Sequence, residues 1–397
     1  MDRRHNPYSP GAGAPPPELV GRDGLREDVA VAIDRLRLGR AAKGVLLVGL
    51  RGVGKTVLLE QMRLDAEAKG IITVRAETPE RRSLPALLAP QLRSALLQLS
   101  RIEAAKALSV RGLSALAGFA RRLKLKYADL EITLDVEPTP GEADSGDLDV
   151  DLTMLLERVG EAAKAADTAV ILFLDEVQYL EEEQFGALIA SLHRCAQRLL
   201  PIGFVGAGLP QLRALAGNAK SYAERMFDFP AVGPLAEDEA REAVAKPALE
   251  EGVYFEEDAM ALLLERTQGY PYFLQEWGKH SWQIAERSPI TYDDVVAASI
   301  SAVAALDASF FLVRFDRVTP AERLYLRAMA ELGPGPHRSG DIAGVLGKKV
   351  SAFGQLRERM IAKGMLWSPA HGDTAFTVPL FDEFMKRIMR GDDWKSE

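Results

Sequence analysis

A short, continuously apolar run, Gly44-Val45-Leu46-Leu47-Val48, passes directly into Gly49-Leu50-Arg51-Gly52-Val53-Gly54-Lys55-Thr56. This junction limits the fold more than any other feature of the chain. An uninterrupted apolar run predicts a strand buried on both faces, as a parallel sheet requires. The glycines behind it predict a tight turn, and Val57 to Ala68 has the periodicity of an amphipathic helix. Strand, glycine-rich loop and helix in that order form the context in which G-x-x-x-x-G-K-[ST] binds phosphate. Gly49, Gly52 and Gly54 let backbone N–H groups turn inward around phosphate oxygens, and the helix offers its positive N-terminus. Lys55 is then expected to reach the β- and γ-phosphates and the Thr56 hydroxyl to ligate Mg²⁺.

Three more apolar runs follow: Ile71 to Val74, Ala169 to Leu174 and Ile202 to Val205. Helical patterns such as Phe185 to Leu199 separate them. That alternation implies right-handed crossovers and a three-layer α/β core with a parallel sheet. The run Phe173-Leu174-Asp175-Glu176 places two carboxylates at the end of the most apolar strand. Asp175 is positioned to hold the Mg²⁺ shell and Glu176 to polarise an attacking water as general base. Between the second and third runs the gap is long. Residues 103 to 150 read as an insertion with a strand-like alternation at Tyr127 to Asp135, ending in a flexible acidic loop.

Beyond Pro234 the strands stop, and helical patterns run over 256–266, 272–286 and 292–304. Thr319-Pro320-Ala321-Glu322 is a helix start with a Thr cap and Pro at the first position. Three helices (319–332, 339–346, 351–363) and a two-stranded hairpin follow. That order resembles a winged helix-turn-helix with Ser351 to Lys363 as recognition helix. From Asp316 to Arg390 there are 12 Lys or Arg against 8 Asp or Glu, while the whole chain carries a formal charge of −8. Arg338, Lys348, Lys349, Arg357 and Arg359 surround the proposed recognition helix and suit DNA phosphate contacts.

The two acid-bearing and glycine-bearing motifs resemble those of the AAA+ P-loop ATPases. The nearest likeness is to the branch of origin-recognition-type initiators, archaeal-type ATPases and STAND signalling ATPases. Leu19-Val20-Gly21-Arg22-Asp23 is similar to that branch's motif ahead of the loop, so Val20, Gly21 and Arg22 are expected at the adenine. Asp175-Glu176-Val177-Gln178 resembles its D-E-x-Q form. Arg225, in Ser221-Tyr222-Ala223-Glu224-Arg225, falls where the family carries an arginine finger, and Thr267-Gln268-Gly269-Tyr270-Pro271 is similar to its G-x-P motif, which adds Pro271 to the nucleotide site. The resemblance implies ATP and Mg²⁺ as cofactors, a helical lid and assembly into a homo-oligomer. Two departures stand out. The strand from Ile202 lacks the polar sensor residue expected at its end, with Gln211 the only candidate. The lid also lacks a second sensor Arg, having Pro271 near that position.

The remaining composition sets bounds. Residues 1 to 18, with Pro15-Pro16-Pro17 and few large apolar side chains, predict a disordered tail. Cys195 is the only cysteine, so no intrachain disulfide can form. The start of the chain has no apolar secretory core, and no run is expected to approach membrane-spanning length, which points to the cytoplasm without a membrane partner. The expected organisation is a tail to residue 18, an α/β ATPase core over 19–233, a helical lid over 234–304 and a winged helix over 305–393. Two outputs compete for this slow ATPase: association with double-stranded DNA through the winged helix, or signalling, with the winged helix as an autoinhibitory or protein-interaction latch. A nucleotide-binding module with almost no turnover is a third.

Overall fold

A computed structural model describes residues 1–11, 13, 18–78, 83–123, 137–391 and 394. The strand-like alternation at Tyr127 to Asp135 lies outside the described residues. Contacts divide the chain into two units: one of residues 22–48 and 55–231, the other of residues 1–21, 49–54 and 232–397.

The first unit is the α/β core. Its elements in order are α1 (Asp23–Arg37), β1 (Gly44–Val48), α2 (Lys55–Ala68), β2 (Ile72–Glu77), α3 (Leu84–Leu99), α4 (Lys106–Arg122), α5 (Leu148–Ala165), β3 (Val170–Asp175), α6 (Glu182–Gln197), β4 (Ile202–Gly208), α7 (Leu212–Ala219), α8 (Ala223–Met226) and β5 (Phe227–Asp228). The strands pair in parallel in the order β2-β3-β4-β1-β5. Because β4 stands between β1 and β3, the strand that enters the glycine loop and the strand that ends in Asp175 are not neighbours. Every strand is parallel, so both present their carboxyl ends at the same edge, where ligands of open α/β sheets bind. Ile171, Leu172, Leu174 and Leu46 are fully buried, as runs apolar on both faces require. Cys195 on α6 is buried too, and burial pushes its thiol up to about 12, an inert group at neutral pH.

The stretch expected to be a flexible acidic loop is anchored where it is described. Asp151, fully buried in the first turn of α5, accepts the Ser145 and Gly146 N–H groups at 3.0 and 2.8 Å and the Ser145 hydroxyl at 2.7 Å. Ser114 on α4 bonds the Glu137 carbonyl and the Thr139 N–H. One acid has become a structural acceptor, because a buried carboxylate needs donors and the turn supplies them.

The second unit comprises α9 (Glu237–Glu250), α10 (Glu257–Thr267), α11 (Pro271–Ile284), α12 (Tyr292–Leu306), α13 (Leu312–Phe315), α14 (Pro320–Glu331), β6 (His337–Arg338), α15 (Ser339–Val345), α16 (Gly354–Ala362), β7 (Leu366–Trp367), β8 (Asp373–Phe376) and α17 (Phe381–Ile388). The strands form a small antiparallel sheet in the order β6-β8-β7. Three expectations change here. First, the boundary expected at 304/305 falls inside a continuous helical stretch, and one core runs across it: Phe311 packs on Phe381 and Phe384 of α17. Second, that stretch, Tyr292–Phe315, has 24 residues and contains an 18-residue window of mean hydropathy 2.0, enough by length and composition to cross a bilayer. Its Val295, Ala298, Ala302, Leu306, Phe311 and Phe315 are buried at near-helical spacing, so this face serves as core.

Third, residues 1–9 are not a loose tail. Tyr8 is 3% exposed, and its hydroxyl donates to the Val244 carbonyl at 2.6 Å. A Cβ at position 278 would sit 2.7 Å from the Tyr8 ring, so Gly278 on α11 makes the seat. The Trp282 indole donates to the Asp2 carbonyl, Asn6 to the Lys279 carbonyl, and the Ser9 N–H to Gln275. Low apolar content argued for disorder, but one aromatic ring in a fitted slot, with satisfied polar groups around it, suffices to order a short strap.

Candidate nucleotide-binding site

In the α/β unit the chemistry gathers at the carboxyl ends of the strands. Lys55 opens α2 and is 9% exposed. The next residue, Thr56, donates its hydroxyl to Asp175 Oδ2 at 2.6 Å, joining the start of α2 to the end of β3. Burial pushes the Asp175 carboxyl above its ordinary range. The Thr56 hydrogen bond acts against this, and the neighbouring Glu176 charge adds to it. A hydroxyl and a carboxylate in contact are two hard oxygen donors of the kind Mg²⁺ takes alongside substrate phosphates. The site therefore fits the ion, with Thr56 and Asp175 to hold it. Among the described residues no cluster of three or more His, Cys, Asp or Glu forms a metal site.

Glu176 has φ 53°, a left-handed backbone rare for a residue with a side chain. Thr78, one residue past β2, holds that turn. Its N–H donates to the Asp175 carbonyl at 3.1 Å, and its hydroxyl lies 2.7 Å from the Asp175 carbonyl and 2.6 Å from that of Glu176. The Glu176 N–H in turn donates to Asp175 Oδ1 at 2.8 Å. The Gln178 amide donates to Glu176 Oε2, while Gln178 Oε1 accepts the Leu209 N–H at 3.0 Å. Thr78 carried no signal in the sequence. It is a short side chain whose role exists only because β2 lies beside β3.

The expected sensor position behaves differently from its candidate. β4 continues through Gly206-Ala207-Gly208, and Gln211 Oε1, beyond the strand, is buried with no hydrogen-bond partner among the described residues. Arg225 lies on the four-residue α8, exposed, with no ion pair among the described residues. Arg22 caps α1 at its N-terminal end.

The glycine-rich segment 49–54 packs within the second unit. Gly52 and Gly54 have φ 81° and 86°, conformations that a side chain would strain. A Cβ at Gly49 would overlap the Val232 carbonyl. Val53 is buried. The Gly52 carbonyl accepts the Tyr272 N–H at 3.1 Å, immediately after Pro271 at the first position of α11. The Arg51 N–H donates to the Thr377 carbonyl, just past β8, at 3.1 Å. The Tyr272 ring stacks on Phe310 at 4.9 Å, and the Arg314 guanidinium lies 4.2 Å over Phe310. Val20 packs against this unit's core, and Gly21 has φ 72° with the Glu239 carboxylate where a Cβ would be. Pro271, Gly49, Gly52, Val53 and Gly54 are thus brought together; so are Lys55, Thr56, Asp175 and Glu176 in the other unit.

The five basic residues expected at DNA do not share one fate. Arg338, Lys348, Lys349 and Arg359 are exposed. Arg357 is not available: its guanidinium donates to Thr374 Oγ1, Ser368 Oγ and the Asp373 carbonyl, each at 2.7 Å, and so braces the hairpin. Its planar guanidinium is thereby held against the fold's own acceptors.

Residues 18–205 match the AAA ATPase domain family, and residues 308–385 match a domain of unknown function, DUF8462. No curated protein matches the chain. Among solved structures, the Walker-type ATPase PABY2304 of Pyrococcus abyssi superposes with a TM-score of 0.59 at 16% identity, covering 93% of this chain and 96% of that one. The Aeropyrum pernix ORC1 protein in complex with DNA superposes at 0.48 and 16% identity, over 94% of each chain. The Thermotoga maritima RuvB Holliday junction branch migration motor gives 0.43 at 15%, over 90% and 92%. At these identities the likeness concerns the fold alone. Residues 18–205 thus match the AAA ATPase domain family, and the chain has the AAA+ P-loop α/β fold, with its parallel sheet in the order β2-β3-β4-β1-β5.

Proposed function

We propose that the protein is an ATP-hydrolysing switch that associates with double-stranded DNA. The observation that carries the hydrolysis is the contact of the Thr56 hydroxyl with Asp175 beside Glu176. It brings the helix after the glycine loop to the strand end where a metal shell and a general base are needed. Bound Mg²⁺ would supply charge neutralisation on the phosphates. The chain's own part is to cradle them with backbone N–H groups from Gly52 to Thr56, to place the Lys55 ammonium on the β- and γ-oxygens, and to take a proton from water at a Glu176 carboxylate oxygen. Exposed Arg225 suits a finger reaching a neighbouring subunit's nucleotide in a homo-oligomer. The domain scheme that goes with this reading is an ATPase core, a helical lid and a winged helix. The order helix, strand, helix, helix, strand, strand over residues 320–376 supports the last.

DNA association rests on Arg338, Lys348, Lys349 and Arg359, all exposed around α16. A second reading has its own observation. The bond from the Arg51 N–H to the Thr377 carbonyl ties the C-terminal segment to the glycine loop, as a latch would. The test of hydrolysis is Glu176→Gln in single-turnover assays with ATP and Mg²⁺. It should bind ATP normally and turn over at least about a hundredfold more slowly, the loss expected for a general base. Equal rates would move the base elsewhere.

A further inference from the structure

Gln178 lies two residues after Glu176 in a short helical turn, yet its side chain bridges two separate strand ends. Its amide N–H donates to Glu176 Oε2, and its carbonyl oxygen accepts the backbone N–H of Leu209, at the end of β4. The space it crosses is held open by a glycine. A Cβ at Gly208 would stand 2.6 Å from Gln178 Oε1 and 2.9 Å from Leu212 Cδ2. The polar residue expected at the end of β4 is absent, and among the described residues Gln211 Oε1 is a buried acceptor without a partner. The end of β4 thus reaches the Glu176 carboxylate through the Leu209 N–H and the Gln178 amide.

We propose that Gln178 is a positioning residue for Glu176 and takes over the task of the missing polar residue at the end of β4. The inference rests on the reading of Glu176 as general base. A carboxylate at the tip of a flexible side chain must be held within hydrogen-bond reach of the water it deprotonates. Here the backbone is set by the left-handed turn at Glu176 and by Thr78, but neither touches the carboxylate oxygens. The Gln178 amide does. Because its other end is bound to β4, the position of the carboxylate is set relative to a strand that lies between β1 and β3. Any shift of the Leu209 turn then moves the base without moving Asp175.

The experiment is a double-mutant cycle on the full chain, with Gln178→Leu, Glu176→Gln and both together, read as single-turnover hydrolysis at saturating ATP and Mg²⁺ beside ATP affinity. Gln178→Leu is expected to slow turnover about tenfold, part of the 10²–10⁴ that general-base catalysis is worth, with ATP affinity within about twofold. In the Glu176→Gln background the same change should be silent, since it acts through that carboxylate. Gln178→Glu keeps the shape and removes the donor, so it should also be slow. Gly208→Ala keeps Gln178 but dislodges it, with the same result expected. Normal turnover in Gln178→Leu and Gln178→Glu overturns the proposal. So does an equal loss in both backgrounds, or a loss of ATP binding in Gln178→Leu, Gln178→Glu and Gly208→Ala alike, either of which makes Gln178 merely structural. A Glu176→Gln enzyme as fast as the parent instead overturns the general-base reading, an outcome distinct from any failure of Gln178.

Discussion

The Tyr8 ring occupies a slot that exists because position 278 is glycine, and its hydroxyl is satisfied by the Val244 carbonyl. Tyr8→Ala would leave a ring-sized void against α11 and free a buried acceptor. By the usual cost of deleting a buried aromatic, it should destabilise the helical unit by about 3–5 kcal/mol. Urea unfolding followed by tryptophan fluorescence checks this, since Trp277 and Trp282 lie on the same helix. An unchanged midpoint would mean that the strap adds nothing to the unit. Arg357 and Asp151 follow the same logic. Each is a charged side chain whose hydrogen bonds are taken up inside the fold, which decides what it is free to do elsewhere.

Helix α14 shows how one acid can serve two elements. Glu322, in its first turn, accepts the Thr319 N–H at 2.7 Å and the Lys363 ammonium at 2.7 Å, and is 1% exposed. Burial alone would raise its carboxyl. The Lys363 and Thr319 donors outweigh burial and hold it below the ordinary range. A carboxyl lowered in the folded state stabilises the fold above its unfolded pKa of about 4.3, and this stability is lost as pH falls through the folded value. Glu322→Gln should therefore cost about 1.5–3 kcal/mol at pH 7, the range for losing a hydrogen bond to a charged group. The difference from the parent should shrink as pH falls below about 4. Urea midpoints at the two pH values measure it, and a difference independent of pH would assign the loss to shape instead of charge. The strong local cap made α14 legible in the sequence, whereas its tie to Lys363, just past the end of α16, needed the tertiary fold.

Across the molecule the charge is uneven: a chain of formal −8 carries exposed Arg338, Lys348, Lys349 and Arg359 around one helix. If these meet DNA phosphates, binding must weaken as salt rises, by roughly 0.9 in the log–log slope for each contact. Replacing Lys348 and Lys349 together with Ala should flatten the slope by about two units if both touch phosphate, and leave ATP turnover without DNA unchanged. Arg357 is excluded from that count by its bonds to the hairpin. Absence of DNA binding by the parent at low salt would leave the latch reading, carried by Thr377 and Arg51. Truncation after Ala304 is a poor way to separate the two. It would remove Phe310, Phe311, Phe381 and Phe384 from a core that continues into α11, where Phe273 packs on Phe310, instead of releasing a separate domain.

Sequence alone determined the elements whose cause is local. The run from Gly44 to Thr56 required a buried strand, a glycine turn and a helix, and Asp175-Glu176 at a strand end named the acids. Apolar periodicity placed helices such as α2, α10, α11 and α14 to within a few residues. What depended on residues far apart in the chain was settled only by the tertiary structure. Thr78 is remote in sequence from the turn it holds, and the Gln178 amide gains its meaning from Leu209 on another strand. The strap at Tyr8 was hidden because disorder was judged from average apolar content, and one ring fitted into a slot outweighs that average. Arg357 read as a phosphate ligand because its charge is visible in sequence, and its three acceptors are not. Local propensity and hydrophobic period are properties of a short window. Hydrogen-bond satisfaction of a long side chain is a property of whatever the fold brings beside it.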